Sequence, residues 1–179
     1  MQTAQLTLFD EPVEDIVDLR KSRSGTFIDN MIMPVHRWFR YSAQHSSRER
    51  LRTEELLEAT TVQPIRSELE RVVQTLAAVR ESHGGKKHYH TMVAAYCRDI
   101  GLVLCQLRRV CKPGSRMCWV IGDSAPYGVY CPIEKWIAEM AMAAGFKKYH
   151  FDKLRDRNIK WKNRKHRVPL KEGLLWIEG

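Results

Sequence analysis

The stretch RRVCKPGSRMCWVIGDSAPYG, residues 108–128, decides how the chain is expected to fold. Residues 90–110 repeat apolar side chains at helical spacing, which predicts a helix that ends in the first residues of this stretch. KPGS, residues 112–115, predicts the end of the helix. RMCWVIGDS is an apolar run with β-favouring residues, which predicts a strand buried on both faces. The letters that follow predict a turn from this strand into another helix.

Helical patterns lie on both sides of this stretch. Apolar residues at helical spacing predict helices over residues 46–60 and 63–82 before it, and over 133–145 after it. Residues 146–157 and 168–179 alternate apolar and polar side chains, which predicts two antiparallel strands joined by a long loop. The predicted fold class is α/β, with a helical N-terminal half followed by a βαββ unit whose final pair is antiparallel.

Length and composition place further limits on the chain. With 179 residues it fits one domain, which we expect over residues 27–179 after a flexible arm of residues 1–26. There is no apolar run of membrane-spanning length and no signal-peptide pattern, so the sequence predicts a cytoplasmic protein without membrane contact.

The cysteines predict packed thiols. Five are present without a CxxC pair, which favours reduced side chains over a disulfide framework. His90, Cys97 and Cys105 fall on one predicted helix, but their irregular spacing favours core packing over metal binding. No metal site is predicted.

Positive charge is concentrated in one part of the chain, residues 147–167, called here the basic segment. It holds ten lysines and arginines against two aspartates, a net charge of +8, whereas the whole chain carries +9. Such a cluster suits a polyanion, and an aromatic residue among the cations suits stacking on a base. The predicted DNA-binding residues are Arg155, Arg157, Lys160, Trp161, Lys162, Arg164, Lys165 and Arg167. The alternative is a solvated hairpin loop.

Three strings carry a resemblance to a known family. RRVCKPGSRMCWVIGDSAPYG, AMAAGFKKY and LRDRNIKWKNRKHRVPLKEGLLWIEG resemble the C-terminal part of bacterial S-adenosylmethionine-dependent DNA amino-methyltransferases of the N4-cytosine or N6-adenine kind. NMIMPVHRWFRYS, residues 30–42, resembles the segment that leads into the cofactor-binding strand of that family. The resemblance implies a class I, Rossmann-like methyltransferase fold and a role in DNA methylation, as in restriction-modification.

Two motifs of that family are missing from the sequence. The glycine loop of the cofactor site, Asp-Pro-Phe-x-Gly-Ser-Gly-Thr, has no counterpart. Ser124-Ala125-Pro126-Tyr127 resembles the Pro-Pro-aromatic catalytic loop, but it follows the wrong strand and has Ala125 in place of the first proline. The resemblance therefore implies an incomplete fold with unknown catalytic residues. The chain is a shortened inactive relative, one subunit of a split enzyme, or an internally deleted form.

The resemblance also implies candidate cofactor-binding residues. Trp38 and Phe39 lie in the block that the family places near the cofactor, and Asp123 ends the predicted strand. S-adenosylmethionine is expected only if a second methyltransferase chain completes the site, and otherwise no cofactor is expected. The alternative for Trp38 and Phe39 is packing under the sheet.

The N-terminal arm carries a short motif of its own. QLTLF resembles the peptide by which bacterial DNA-processing proteins bind the sliding clamp, with Gln5, Leu6, Leu8 and Phe9 as the contact residues. The alternative is an apolar tail that packs on its own domain.

The sequence thus predicts a component or truncated form of a DNA amino-methyltransferase that binds DNA and is not catalytic alone. The alternative is a non-catalytic DNA-binding accessory protein tethered through its N-terminal arm. A short sheet with exposed edges also predicts that the isolated chain exposes apolar surface and self-associates.

Overall fold

A computed structural model describes residues 52–85, 87–157 and 168–179. The helices are α1 (Thr53–Leu57), α2 (Arg66–Arg80), α3 (Tyr89–Val110) and α4 (Ile133–Ala143), and the strands are β1 (Arg116–Gly122), β2 (Lys148–Arg157) and β3 (Leu170–Glu178). Short 3-10 helices cover Thr60–Ile65, Glu81–His83 and Pro126–Gly128. The predicted helices and strands in these ranges are confirmed, with boundaries shifted by a few residues.

The strands form a three-stranded sheet in the order β1-β3-β2. β3 lies in the middle and is antiparallel to both neighbours, so β1 and β2 run parallel and are connected through α4. The prediction of an antiparallel final pair is confirmed. At the end of the sheet where β1 finishes, Gly122 pairs with Glu172, and Glu172 pairs with Arg155 of β2.

The helices pack on one face of the sheet. Trp119 of β1 and Leu175 of β3 are paired on that face; Leu175 belongs to the hydrophobic core and Trp119 packs against it. Trp136 of α4 is completely buried against the same core, as is Leu104 of α3. Burying large apolar side chains of this kind supplies most of the stabilisation of a small domain. The core is therefore a two-layer packing of helices on sheet.

β1 is not buried on both faces, so that prediction is wrong. Ile121 is its one buried residue, and the rest of the strand is half-buried or exposed. The physical reason is that the helices cover one face, whereas Cys118 and Val120 point to the opposite one. Within the described ranges this opposite face, called here the open face, has no helix packed on it.

A polar contact joins two of the helices. Oε2 of Glu68 on α2 accepts hydrogen bonds from Nζ of Lys135 at 2.8 Å and from Nε1 of Trp136 at 3.0 Å, both on α4. Burial alone raises the pKa of Glu68, but these two hydrogen bonds and the charge of Lys135 lower it below its ordinary value. The contact satisfies the indole N–H of a buried tryptophan.

The five cysteines are free thiols. Cys97 and Cys131 are buried, and the other three are half-buried. Burial raises the pKa of Cys131 to about 12, and the charge of Asp123 adds to the effect. None of the helices in the described ranges is long and apolar enough to cross a membrane.

Candidate functional site

The carboxyl end of β1 holds a buried acid. Asp123 directly follows the strand, and its side chain is completely buried. The hydroxyl of Tyr130 donates to its Oδ2 at 2.5 Å, and the backbone N–H of Glu134 donates to its Oδ1 at 3.5 Å. Burial raises the pKa of Tyr130, and the hydrogen bond to Asp123 raises it further. Both carboxylate oxygens of Asp123 thus accept hydrogen bonds from the protein itself.

A cation from the basic segment reaches the same place. The guanidinium of Arg157, the last residue of β2, donates to the backbone carbonyl of Asp123. Gly122 makes this approach possible, because a Cβ there would lie 2.9 Å from Nη2 of Arg157. In the sequence, Gly122 is part of the predicted strand RMCWVIGDS, and no local pattern shows that the glycine accommodates an arginine from another strand.

An acid on the middle strand binds two of the predicted DNA-binding residues. Oε1 of Glu172 accepts from Nη2 of Arg155 at 2.6 Å and from its Nε at 3.0 Å. Oε2 of Glu172 lies 3.2 Å from Nε of Arg157. A neighbouring ion pair joins Lys171 of β3 to the buried Glu134 of α4 at 2.6 Å. These contacts fix both arginines at the base of the hairpin loop.

Glu172 was missed by sequence reasoning. It lies in an alternating strand and looks like an ordinary solvent-facing acid. The one available signal is the antiparallel pairing of the two final strands, which places an acid of β3 opposite the arginines of β2. The cationic character of Arg155 and Arg157 is therefore partly offset by an acid that lies outside the basic segment in the sequence.

The loop after β1 is a compact turn. Ser124 and Cys131 exchange backbone hydrogen bonds of 3.2 and 2.8 Å, and the N–H of Gly128 donates to the carbonyl of Ala125 at 3.1 Å. Tyr127 has a left-handed φ of 51°, a conformation that non-glycine residues rarely adopt. This geometry agrees with a strand-to-helix turn.

The ring of Tyr127 is packed against other aromatic side chains. It stacks on His83 with 4.4 Å between ring centroids, and its edge contacts Tyr89 at 4.7 Å. These contacts lie where α2 ends and α3 begins, and they occupy the surfaces that a stacked base needs. Tyr127 is half-buried, and its contacts with two other rings do not suit stacking on an extruded base.

Histidines surround this junction. Nη2 of Arg80 lies 3.4 Å from Nε2 of His88, and the ring of His88 lies 5.6 Å from that of His90. Burial lowers the pKa of His90, and the neighbouring His88 and Arg80 lower it further. Among the described residues, no three His, Cys, Asp or Glu side chains are placed to hold a metal ion.

The structure brings three of the predicted site residues together, namely Asp123, Arg155 and Arg157. The remaining predicted residues lie outside the described ranges: Gln5, Leu6, Leu8, Phe9, Trp38, Phe39, Lys160, Trp161, Lys162, Arg164, Lys165 and Arg167.

Comparisons of the chain with protein-family models, with curated proteins and with solved structures gave no match. The described residues define a mixed α/β protein in which helices pack on a three-stranded antiparallel sheet, and Arg157 at the end of β2 contacts the buried Asp123 that follows β1.

Proposed function

We propose that this chain is a DNA-binding component of an S-adenosylmethionine-dependent DNA amino-methyltransferase and that it is not catalytic alone. The observation that carries the DNA-binding part is the anchoring of the basic segment. Arg155 and Arg157 hold the end of β2, from which the hairpin loop continues, against the sheet and against Asp123. An anchored, strongly positive loop would concentrate positive electrostatic potential at one end of the molecule. Such a potential attracts the negatively charged phosphate backbone of DNA.

The charge of this region remains available to an outside partner despite Glu172. The side chain of Arg155 is 66% exposed although it is paired with that acid. The side chain of Glu172 is only 15% exposed, but it keeps its contact with Arg157 when Arg155 moves, so Arg155 can exchange the carboxylate for a phosphate without leaving that acid unpaired. Phosphate contacts position a protein on DNA without selecting a sequence.

The methyltransferase part rests on the resemblance of three sequence strings and on element order. A long helix, a strand, a helix and an antiparallel strand pair occur in the order that the resemblance implies. Fold order alone does not define an activity, because activity depends on the residues of a site.

The described residues do not fit a cofactor around Asp123. The carboxylate is completely buried and accepts hydrogen bonds from Tyr130 and Glu134, so it presents no oxygen to a ligand. We therefore derive no catalytic step from this chain, and we expect cofactor binding only when a second methyltransferase chain completes the site.

Because the buried carboxylate of Asp123 is not available to a cofactor, a second candidate function is favoured. It is a non-catalytic DNA-binding accessory protein that also docks on the sliding clamp. Such a protein needs neither a cofactor nor a catalytic partner. Titration of S-adenosylmethionine into the chain with and without a candidate partner separates the two, because cofactor binding in the assembled pair is expected only of a methyltransferase component.

The DNA-binding proposal is tested with two charge-matched variants. In the first, Lys160, Lys162, Arg164 and Lys165 are changed to alanine. In the control, the four changed residues are Arg71, Arg109, Lys112 and Arg116, which are exposed and lie outside the basic segment. Both variants carry the same net charge.

Affinity for duplex DNA is measured by fluorescence anisotropy over a series of salt concentrations. We expect the first variant to bind at least tenfold more weakly and its salt slope to fall by about 0.9 for each phosphate that it no longer neutralises. The control should change much less. Equal reductions in the two variants would show that net charge matters and the loop does not, and an unchanged first variant would refute the proposal.

A further inference from the structure

The two edges of the sheet differ in a way that points to an additional contact. β2, at one edge, carries charged side chains along most of its length and is interrupted by a register shift between Lys153 and Arg155. Charges and bulges are the usual protection of an edge strand against unwanted pairing. Between Arg116 and Asp123, β1 at the other edge has no charged residue, no proline and a regular register. The β1 edge lacks this protection.

Apart from Arg116, whose guanidinium lies 5.3 Å from the centre of the Trp176 ring, the open face is apolar on the side of this unprotected edge. Cys118 and Val120 of β1 pair with Trp176 and Leu174 of β3, and all four are half-buried and lie outside the core. These four residues are called here the apolar strip. Burial raises the pKa of the Cys118 thiol, and the charge of Asp152 adds to the effect. Contiguous apolar surface of this kind marks a contact site.

On the side of β2 the same face is polar. Lys148, His150 and Asp152 are exposed there, and Oδ1 of Asp152 lies 2.6 Å from Nε2 of His150. Oδ2 of Asp152 accepts a hydrogen bond from the indole N–H of Trp176 at 2.9 Å, so the acid marks the border of the apolar strip. An occupant of the open face is therefore expected beside β1 and away from β2.

The N-terminal part of the chain enters the described structure on the helical side of the sheet, at the end where β1 finishes, so a segment that reaches the open face passes around the β1 edge. Oγ1 of Thr53 lies 3.0 Å from Oγ1 of Thr91 near the start of α3, and Tyr89 contacts Tyr127 in the loop after β1. The first described residue, Arg52, is thus attached near the carboxyl end of β1. A linker of ten residues spans up to about 33 Å, which exceeds the roughly 23 Å length of a seven-residue strand.

We propose that residues 27–42 of this same chain dock on the apolar strip beside β1. Nine of these 16 residues are large and apolar, including Trp38 and Phe39, and they need a surface to cover. Their tether gives them an effective concentration in the millimolar range at a site within reach, whereas a second copy of the chain competes at its own, lower concentration. This contact is independent of the proposed function, and it assigns Trp38 and Phe39 to packing in place of cofactor binding.

The reactivity of Cys118 in the full-length chain tests the proposal. The alkylation rate with N-ethylmaleimide is measured peptide by peptide by mass spectrometry in the parent chain, in Trp38→Ser/Phe39→Ser and in the control Leu8→Ser/Phe9→Ser. We expect Cys118 to react at least tenfold faster in the first variant and at the parental rate in the control. Cys97 and Cys131, which are buried in the core, should stay slow and so report an intact fold.

An unchanged Cys118 rate in the first variant would overturn the proposal. Protection of Cys118 that increases with protein concentration in the parent chain would also overturn it, because the occupant would then be a second copy. If the first variant also exposes Cys97 and Cys131, its fold is disturbed and a cross-linking experiment is used instead. In that experiment Leu174 of the parent chain is replaced by the photoreactive residue benzoylphenylalanine. An intramolecular cross-link to residues 27–42 supports the proposal, and a cross-link between chains or to another segment refutes it.

Discussion

The guanidinium of Arg157 donates to the backbone carbonyl of Asp123, and the same side chain pairs with Glu172 at 3.2 Å. These contacts join the end of β2 to the end of β1 across the middle strand. They hold the end of β2 in a fixed position on the sheet, and Arg157 makes both of them.

Arg157→Lys should destabilise the protein, because one ammonium group cannot reproduce the forked contacts to a carbonyl and a carboxylate. We expect a decrease of about 1–3 kcal/mol in the free energy of unfolding, the usual effect of leaving a buried polar group without its partner. Urea denaturation measures this decrease in the free energy of unfolding. Arg155→Lys, at a more exposed ion pair, should cost less than about 1 kcal/mol. Equal decreases for the two variants would contradict the anchoring role of Arg157.

Glu172→Gln should strengthen DNA binding. The change removes the acid that offsets Arg155 and Arg157 and keeps the shape of the side chain. We expect about fivefold higher affinity at low salt, which corresponds to about 1 kcal/mol for one unit charge close to a phosphate. Fluorescence anisotropy checks this, with Glu139→Gln on α4 as the charge-matched control. Weaker binding by the Glu172 variant would show that the acid orients the arginines for DNA.

Tyr130→Phe should reduce stability by about 1–3 kcal/mol, because Oδ2 of the buried Asp123 then lacks the hydroxyl that donates to it. Thermal or urea denaturation at neutral pH measures the decrease. Tyr149→Phe is the control, since the side chain of Tyr149 is half exposed on β2. If Tyr130→Phe is as stable as the control, the hydrogen bond to Asp123 contributes nothing.

The contacts of Glu68 predict an acid-dependent decrease in stability. Its pKa in the folded state lies below the ordinary value of 4.5, so the stabilisation is complete above about pH 4.5 and disappears as the pH falls through the folded-state pKa. Glu68→Gln should be less stable than the parent chain at pH 7 and should lose less stability between about pH 5 and 3. Glu70→Gln, also on α2, should keep the parental pH dependence. Parallel pH profiles for the parent chain and the Glu68 variant would contradict this account.

Much of the fold could be predicted from local patterns. Helical spacing located α2, α3 and α4, and alternation located β2 and β3, because a helix or strand with one apolar side repeats at the period of its backbone. The burial of β1 could not be predicted in the same way. A continuous apolar run is typical of a strand covered on both faces, and the sequence does not show that the helices cover one face alone.

The site could be predicted only in part. Charge density pointed to Arg155 and Arg157, and the end of an apolar run pointed to Asp123, but the contacts among them depend on strand order. β3 lies between β1 and β2, and this arrangement brings Glu172 against both arginines. Contacts between residues that are far apart in the sequence produce no periodic pattern in it, so the roles of Glu172 and Tyr130 could not be predicted.

The most direct test is a calorimetric titration of the purified full-length chain with duplex DNA and, separately, with S-adenosylmethionine. The account predicts DNA binding that weakens steeply with added salt and no heat of binding for the cofactor in the absence of a partner chain. Absence of DNA binding at low salt would contradict the central claim. Cofactor binding by the chain alone would contradict the proposal that a second chain is needed to complete the cofactor site.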